Sequence, residues 1–162
     1  MSRLDSAIRR LVAQRACLDR AIELAATVPG PTIELGLGNG RTYDHLRRNM
    51  PGRAIFVFER IVMAHPDSRP DDAHLILGDL RQTLPTALER IGQAAALAHI
   101  DIGSGDLAAT AATAAFIAAT LPALLAPGAV AVSDQPLALA NAVMLDLPKE
   151  VSTGRYFLYR RD

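Results

Sequence analysis

Apolar runs and helical repeats alternate along the chain, and they predict alternating strands and helices. The first 26 residues repeat apolar positions every three or four residues, which is typical of an amphipathic helix, and Ser2 or Asp5 can cap its start. Short unbroken apolar runs then predict buried strands at residues 32–37, 54–58, 74–77, 96–100 and 129–133. The apolar face predicted for the first helix consists of Leu4, Ile8, Leu11, Leu18, Ile22 and Ala25.

The segments between these runs predict helices of unequal length. Helical patterns cover residues 41–49, 80–91 and 107–125, and Pro136 can start a short helix that reaches residue 141. Between residues 61 and 72, Pro66 and Pro70 leave room for about one helical turn and a loop. A last strand is predicted at residues 155–160. This alternation with short connections predicts an α/β chain with a parallel sheet flanked by helices.

Composition narrows the class of protein. The chain has 162 residues, half of them hydrophobic, and its formal net charge is zero, which argues against a nucleic-acid partner. Cys17 is the single cysteine, so no internal disulfide forms and a reducing, cytoplasmic location is expected. Arg9, Arg10 and Arg15 interrupt the apolar positions near the N-terminus, so that stretch is not expected to be a signal peptide. The apolar segment 107–126 is interpreted as a core helix, and no membrane partner is predicted.

A glycine-rich loop follows the first predicted strand. Glu34 ends a short apolar run, Gly36, Gly38 and Gly40 come at alternate positions, and a helical pattern begins at Arg41. Glycine allows positive φ and a close approach to the backbone, and a helix N-terminus favours an anionic group. In the dinucleotide fingerprint G-x-G-x-x-G the third glycine would fall one residue later. A loop that only turns the chain is the alternative interpretation.

The pattern E-x-G-x-G-x-G resembles that of the class I S-adenosylmethionine-dependent methyltransferases. The resemblance implies a three-layer Rossmann-like methyltransferase fold, with a mostly parallel sheet, an antiparallel C-terminal strand and an added N-terminal helix. It also implies one domain, with the N-terminal helix in residues 1–28 and a cofactor-binding core in residues 32–162. The implied cofactor is S-adenosyl-L-methionine and the implied product is S-adenosyl-L-homocysteine.

By the same resemblance, the glycine loop holds the methionine part of the cofactor. Glu34 would anchor the loop near the amino group, and the helix start would hold the carboxylate. The candidate residues of the loop and the helix start are Gly36, Gly38, Asn39, Gly40, Arg41 and Thr42.

Acidic residues follow three of the predicted strands. Glu59, next to Arg60, comes 19 residues after Gly40, the spacing at which α/β nucleotide-binding folds place a carboxylate on ribose hydroxyls. Asp79 is implied to accept a hydrogen bond from the adenine amino group while the backbone of Leu80 touches the ring, although Asp79 also suits a helix cap. Asp101 would face the methyl group.

Asp101 and Asp134 are the candidate catalytic residues. With Gln135 they partly match the Mg²⁺ ligands of metal-dependent O-methyltransferases. However, glutamine replaces the usual asparagine and the basic residue after the first acid is absent, so no metal is predicted. His99, inside a strand, is interpreted as a core histidine.

The predicted function is methyl transfer to an unidentified small molecule. Aligning the acceptor with an already activated methyl group supplies much of the catalysis, so few catalytic residues are needed. A non-catalytic module that binds S-adenosylmethionine or its product is the first alternative. A NAD-dependent oxidoreductase is the second, and the glycine spacing disfavours it. Because the chain is short and residues 61–72 lack a full helix, a homo-oligomer is expected.

Overall fold

Seven strands form one sheet in the computed structural model, which describes residues 2–162. In chain order they are β1 (Thr32–Leu35), β2 (Ile55–Glu59), β3 (Leu75–Leu77), β4 (Ala95–Ile100), β5 (Leu125–Ser133), β6 (Ala142–Leu145) and β7 (Phe157–Arg161). Across the sheet the order is β3-β2-β1-β4-β5-β7-β6. The first five strands are parallel, and β7 runs antiparallel to both of its neighbours. The predicted sheet, mostly parallel with an antiparallel C-terminal strand, is confirmed.

Helices cover both faces of this sheet. They are α1 (Arg3–Ala25), α2 (Arg41–Asn49), α3 (Leu80–Thr83), α4 (Ala87–Ile91) and α5 (Leu107–Thr120). One apolar cluster joins α1 and α2 to one face, and a second joins α3, α4 and α5 to the other. The molecule therefore has the three layers that the strand and helix alternation predicted.

The chain crosses the sheet in a way that opens a crevice. From β1 the chain builds outward through β2 and β3, and it then returns to place β4 on the other side of β1. The connections that leave β1 and β4 run in opposite directions across the sheet, and ligands bind beyond the carboxyl ends of the strands at such a point. The loops after β1 and β4 meet at this edge.

The first helix packs through only part of its length. Ser2, one of the two predicted candidates, caps its start, and Asp5 completes a reciprocal capping box with it. Leu18 and Ala25 are buried, but Leu4 and Ile8 are 68% and 51% exposed, so the predicted apolar face is wrong in its first half. The residues of α1 that are buried against the sheet or α2 begin near the middle of the helix and are Ala13, Gln14, Cys17, Leu18, Ala21 and Ala25.

Two predicted helices are shorter than expected because prolines interrupt them. The helix predicted over 80–91 is divided into α3 and α4 by a 3₁₀ turn that contains Pro85. The helix predicted over 107–125 ends at Thr120 in a 3₁₀ turn that contains Pro122. By length and composition alone, Leu107–Leu124 could cross a membrane. In the structure one side of α5 is buried in the apolar cluster, as expected of a core helix.

The region after β5 differs from the prediction. No helix forms over 136–141; Asn141 instead adopts a positive φ of 53°, and β6 begins at the next residue. Because Val143 and Met144 on this edge strand are exposed, β6 lacks the apolar pattern of a buried strand. Residues 61–72 hold one 3₁₀ turn, Pro66–Ser68, as predicted.

Candidate functional site

The glycine loop between β1 and α2 turns through three left-handed residues. Gly36, Gly38 and Gly40 have φ values of 95°, 53° and 81°. A Cβ on Gly36 would lie 2.5 Å from the carbonyl oxygen of Asp101, and one on Gly40 would collide with the backbone of Ser68. A Cβ on Gly38 would meet no atom within 4 Å. Gly36 and Gly40 therefore serve close backbone packing, whereas Gly38 faces open space.

The Glu59 carboxylate anchors the glycine loop to the end of β2. Its Oε2 accepts hydrogen bonds from the backbone N–H groups of Leu37 and Gly38, at 2.8 and 3.1 Å. Its Oε1 accepts from the N–H groups of Arg60 and Ile61, at 2.7 and 3.3 Å. Sequence reasoning placed Glu59 at this edge but missed its bonds to the loop, because strand-end spacing carries no information about backbone amides.

Glu34 lies beneath the loop rather than in it. It is fully buried in β1, where its Oε1 accepts a hydrogen bond from the Thr42 hydroxyl and lies 3.1 Å from Nδ1 of His99. Within the described part of the chain, Glu34 Oε2 and His99 Nε2 have no hydrogen-bond partner. Glu34 thus ties the start of α2 to β4, and His99 is buried in the core as expected.

Two cavities open along the carboxyl ends of the strands. The first, of about 610 Å³, lies between α1, the glycine loop and the segment before β7, and Asn39, Arg41 and Thr42 line it. The second, of about 360 Å³, lies over β2 and β3, and Glu59, Arg60, Asp79 and Leu80 line it. Asp79 also caps α3 by accepting a hydrogen bond from the N–H of Arg81 at 2.8 Å, which confirms the predicted capping role. The cavities meet at four residues that line both: Gly36, Gly38, Asp101 and Gly103.

Two predicted site residues lie outside these linings. Glu34 is buried behind the loop, and Gly40 packs against Ser68.

Asp101, at the end of β4, faces the first cavity together with side chains of α1. Its Oδ2 accepts a hydrogen bond from the Gln14 side chain at 2.8 Å and lies 4.0 Å from the Arg10 guanidinium. This carboxylate is therefore held in one orientation by a helix that is 87 residues away in sequence.

Asp134 holds the loop that follows Asp101. Its carboxylate accepts hydrogen bonds from the N–H groups of Ile102 and Gly103, at 3.2 and 2.8 Å, and from the Gln135 side chain. Burial raises the pKa of Asp134, although these donors oppose the rise. No group of three or more His, Cys, Asp or Glu side chains that could hold a metal ion occurs in residues 2–162.

Sequence reasoning missed four polar side chains that line the first cavity: Arg10, Gln14, Arg155 and Tyr156. Gln14 is 5% exposed on the buried side of α1, and a polar residue between Leu11 and Leu18 is the signal that could have revealed it. Tyr156 is 1% exposed, and its hydroxyl has no hydrogen-bond partner in residues 2–162. Burial, and next the charge of Asp101, raise the pKa of Tyr156 well above its usual value, so the hydroxyl stays protonated.

Comparisons with known proteins agree with this geometry. A family model described as S-adenosyl-L-methionine methyltransferase matches residues 1–161. The S-adenosyl-L-methionine methyl transferase from Silicibacter pomeroyi DSS-3 is 48% identical, with a TM-score of 0.93 over 100% of this chain and 99% of that chain. A search of curated proteins found no match.

More distant structures share the fold. The amino pentose methyltransferase CalS10 from Micromonospora echinaspora, solved with bound S-adenosylmethionine, is 14% identical, with a TM-score of 0.53 over 100% and 98% of the two chains. An RNA methyltransferase from Salinibacter ruber, in complex with S-adenosyl-L-homocysteine, is 19% identical, with a TM-score of 0.51 over 89% and 88%. The family model matches nearly the whole chain, and the chain is 48% identical to the Silicibacter pomeroyi protein. The protein therefore belongs to the S-adenosyl-L-methionine methyltransferase family and uses S-adenosyl-L-methionine as its cofactor.

Proposed function

We propose that the cofactor spans both cavities and that the methyl acceptor is a small molecule bound in the first. The meeting of the two cavities at Gly36, Gly38, Asp101 and Gly103 carries this proposal, since it joins a site for a nucleoside to a site for its amino-acid tail. The open space at Gly38 supports it, because a ligand can approach the loop backbone there. Residues 1–28 and 32–162 would act together as one methyltransferase unit.

The residues of the second cavity suit the adenosine part. Glu59 lines this cavity with Arg60 beside it, and ribose hydroxyls would share the carboxylate oxygens with the four backbone N–H groups that already bond to them. Asp79 uses one oxygen for the helix cap and keeps the other for the adenine amino group, next to the backbone of Leu80.

The residues of the first cavity suit the methionine part. Arg41 and the N-terminus of α2 provide positive charge for its carboxylate. Asn39 and Thr42 lie alongside, and Glu34 holds Thr42 in place from below.

The bound cofactor supplies a methyl group on a sulfonium, which is already activated for transfer. The chain's own part is to align the acceptor and to receive its proton. We assign proton acceptance to Asp101, which Gln14 orients at the junction of the cavities. Asp134 acts indirectly, since it holds the backbone at Ile102 and Gly103 and so positions the Asp101 loop.

A small acceptor is favoured over nucleic acid or a membrane. The chain has no excess of positive charge for a phosphate backbone. Within residues 2–162, the one apolar segment long enough to span a membrane, Leu107–Leu124, contributes Ala114 and Ile117 to the core. We further propose a cytoplasmic location, where the buried Cys17 thiol stays reduced.

Binding and turnover experiments test the proposal. S-adenosylmethionine and S-adenosylhomocysteine at 100 times their dissociation constants should each stabilise the protein by about 2.7 kcal/mol in a thermal-shift assay, whereas NAD and ATP should not. With [methyl-³H]S-adenosylmethionine, label should appear in a small molecule of a cell extract that is chromatographically distinct from S-adenosylmethionine. Label that enters only RNA or protein would contradict the proposed acceptor class.

We also propose that the protein forms a homo-oligomer. Leu4, Ile8 and Val12 lie four residues apart on the first half of α1 and are 68%, 51% and 41% exposed. Exposed apolar positions that share one side of a helix favour contact with another protein surface.

A further inference from the structure

One part of the first cavity is not used by the proposed cofactor contacts. It is lined by Arg10 and Gln14 of α1 and by Arg155 and Tyr156 of the segment before β7, and Asp101, which lines the same cavity, accepts a hydrogen bond from Gln14. We call this part the α1 corner. Because it borders the carboxylate that would receive the proton, it is where the acceptor would lie.

The Tyr156 hydroxyl is an unused donor in the α1 corner. Polar groups as buried as this hydroxyl almost always form a hydrogen bond, and leaving one unpaired is costly. Yet the hydroxyl proton has no acceptor in residues 2–162, although the side chain is 1% exposed, because the neighbouring Arg10 guanidinium can only donate to the hydroxyl oxygen. A buried donor that lines a cavity and lacks a partner calls for an acceptor atom on a ligand.

Two guanidinium groups that line the same cavity also favour a ligand with acceptor oxygens. The Arg10 side chain is 47% exposed, and its one ion-pair contact, with Asp101, is at the long distance of 4.0 Å. The Arg155 side chain has no hydrogen bond or ion pair within the described residues and lines the same cavity. Guanidinium groups match carboxylate and phosphate oxygens through paired N–H donors.

We propose that Arg10, Arg155 and the Tyr156 hydroxyl bind an anionic oxygen group, a carboxylate or a phosphate, on the methyl acceptor. This inference rests on the proposed function, since it names the chemical class of the small molecule that the site methylates. The anionic group would anchor the acceptor so that its nucleophilic atom lies near Asp101.

Fractionation of the acceptor pool tests the proposed charge. The small-molecule part of an extract from the source organism is passed over an anion exchanger, and each fraction is assayed with [methyl-³H]S-adenosylmethionine and the full-length protein. We expect transfer to molecules in the retained fraction, and transfer confined to the unretained fraction would overturn the inference while leaving the proposed function intact. Phosphatase treatment of the retained fraction should abolish transfer if the group is a phosphate ester and spare it if the group is a carboxylate.

Variants test the assigned residues. Arg10→Gln combined with Arg155→Gln should lower the transfer rate at limiting acceptor at least tenfold, whereas Arg15→Gln, an exposed change on the same helix outside the cavity, should have no effect. Tyr156→Phe should lower that rate about tenfold, with a smaller loss at saturating acceptor. It should leave the melting temperature unchanged or raised, because it removes an unpaired buried hydroxyl.

Measuring the dissociation constant of S-adenosylhomocysteine distinguishes a defect in acceptor binding from a defect in cofactor binding. All variants should bind S-adenosylhomocysteine with the wild-type dissociation constant. A weaker affinity in the double variant would assign the arginines to the cofactor and overturn the inference. If the wild type binds S-adenosylhomocysteine but transfers label to neither fraction, the small-molecule proposal fails, and this inference fails with it.

Discussion

The single side chain of Glu59 both holds the glycine loop and lines a cavity. It accepts hydrogen bonds from the loop amides of Leu37 and Gly38, and it lines the second cavity. Hydrogen bonds to a charged group contribute about 1.5–3 kcal/mol each. The residue therefore fixes the shape of the glycine loop, and we propose that cofactor binding depends on that shape.

Replacing Glu59 should lower both the stability of the protein and its affinity for the cofactor. We expect Glu59→Gln to lower the free energy of unfolding by about 1–3 kcal/mol, because an amide N–H₂ would face backbone donors. The dissociation constant of S-adenosylmethionine should rise at least tenfold in calorimetric titration. Glu89→Gln, an exposed change on α4 outside both cavities, is the matched control. Wild-type affinity in Glu59→Gln would contradict the proposed ribose contact.

The raised pKa of Asp134 predicts that the free energy of unfolding depends on pH. Burial raises its pKa in the folded protein above the unfolded value, near 3.8. The folded state then binds more protons than the unfolded state between these two values, so this residue's contribution to stability is fully present below pH 3.8 and is lost as the pH rises through the folded pKa. The loss should be absent in Asp134→Asn.

Urea unfolding from pH 4 to pH 7 measures this effect. The stability of the wild type relative to Asp134→Asn should fall with increasing pH and then level off. A difference that stays constant over this range would mean that the pKa of Asp134 is not raised.

At the level of elements, the glycine loop has two kinds of glycine. Gly40 is buried against the 3₁₀ turn Pro66–Ser68, whereas Gly38 is exposed beside both cavities. A left-handed conformation costs a residue with a side chain about 1–2 kcal/mol, and at Gly40 a collision with Ser68 would be added. Packing against Ser68 therefore constrains Gly40, whereas the space beside Gly38 is open.

Paired alanine substitutions separate these roles. Gly40→Ala should lower the free energy of unfolding by more than 2 kcal/mol, and Gly38→Ala by about 1 kcal/mol. Gly38→Ala should nevertheless weaken S-adenosylhomocysteine binding, because its methyl group would project into the cavity. Urea unfolding and calorimetric titration of both variants provide the test. Equal stability losses would show that the contact with Ser68 does not limit this position.

The predicted elements differ in how closely they match the structure. The start of α2 at Arg41 and the buried strands follow from local signals, a glycine turn and unbroken apolar runs, and these are within a few residues of their predicted ends. β6 was missed because a short edge strand with exposed Val143 and Met144 lacks such a signal. The α1 face was half wrong because helical periodicity does not show how far a neighbouring sheet extends.

For the whole molecule, the proposed homo-oligomer can be tested by changing one exposed apolar residue of α1. Ile8→Glu should shift the molar mass measured by light scattering toward the monomer, because a charge would enter the exposed apolar side of α1. Arg3→Glu, also exposed on α1, is the matched control. A wild-type monomer at micromolar concentration would contradict the proposed oligomer.

The glycine and acidic positions along the chain were enough to indicate the fold and the family, because each is a local pattern tied to the end of a strand. Glu34, Glu59, Asp79 and Asp101 were all recognised in this way. The long-range partners of Glu34 and Asp101 could not be recognised, since Glu34 meets His99 and Asp101 meets Gln14 across 65 and 87 residues of sequence. The α1 corner exists only because folding brings a helix near the N-terminus and Tyr156 to the same edge of the sheet. Contacts of this kind depend on how the layers stack, and short-range periodicity carries no record of that stacking.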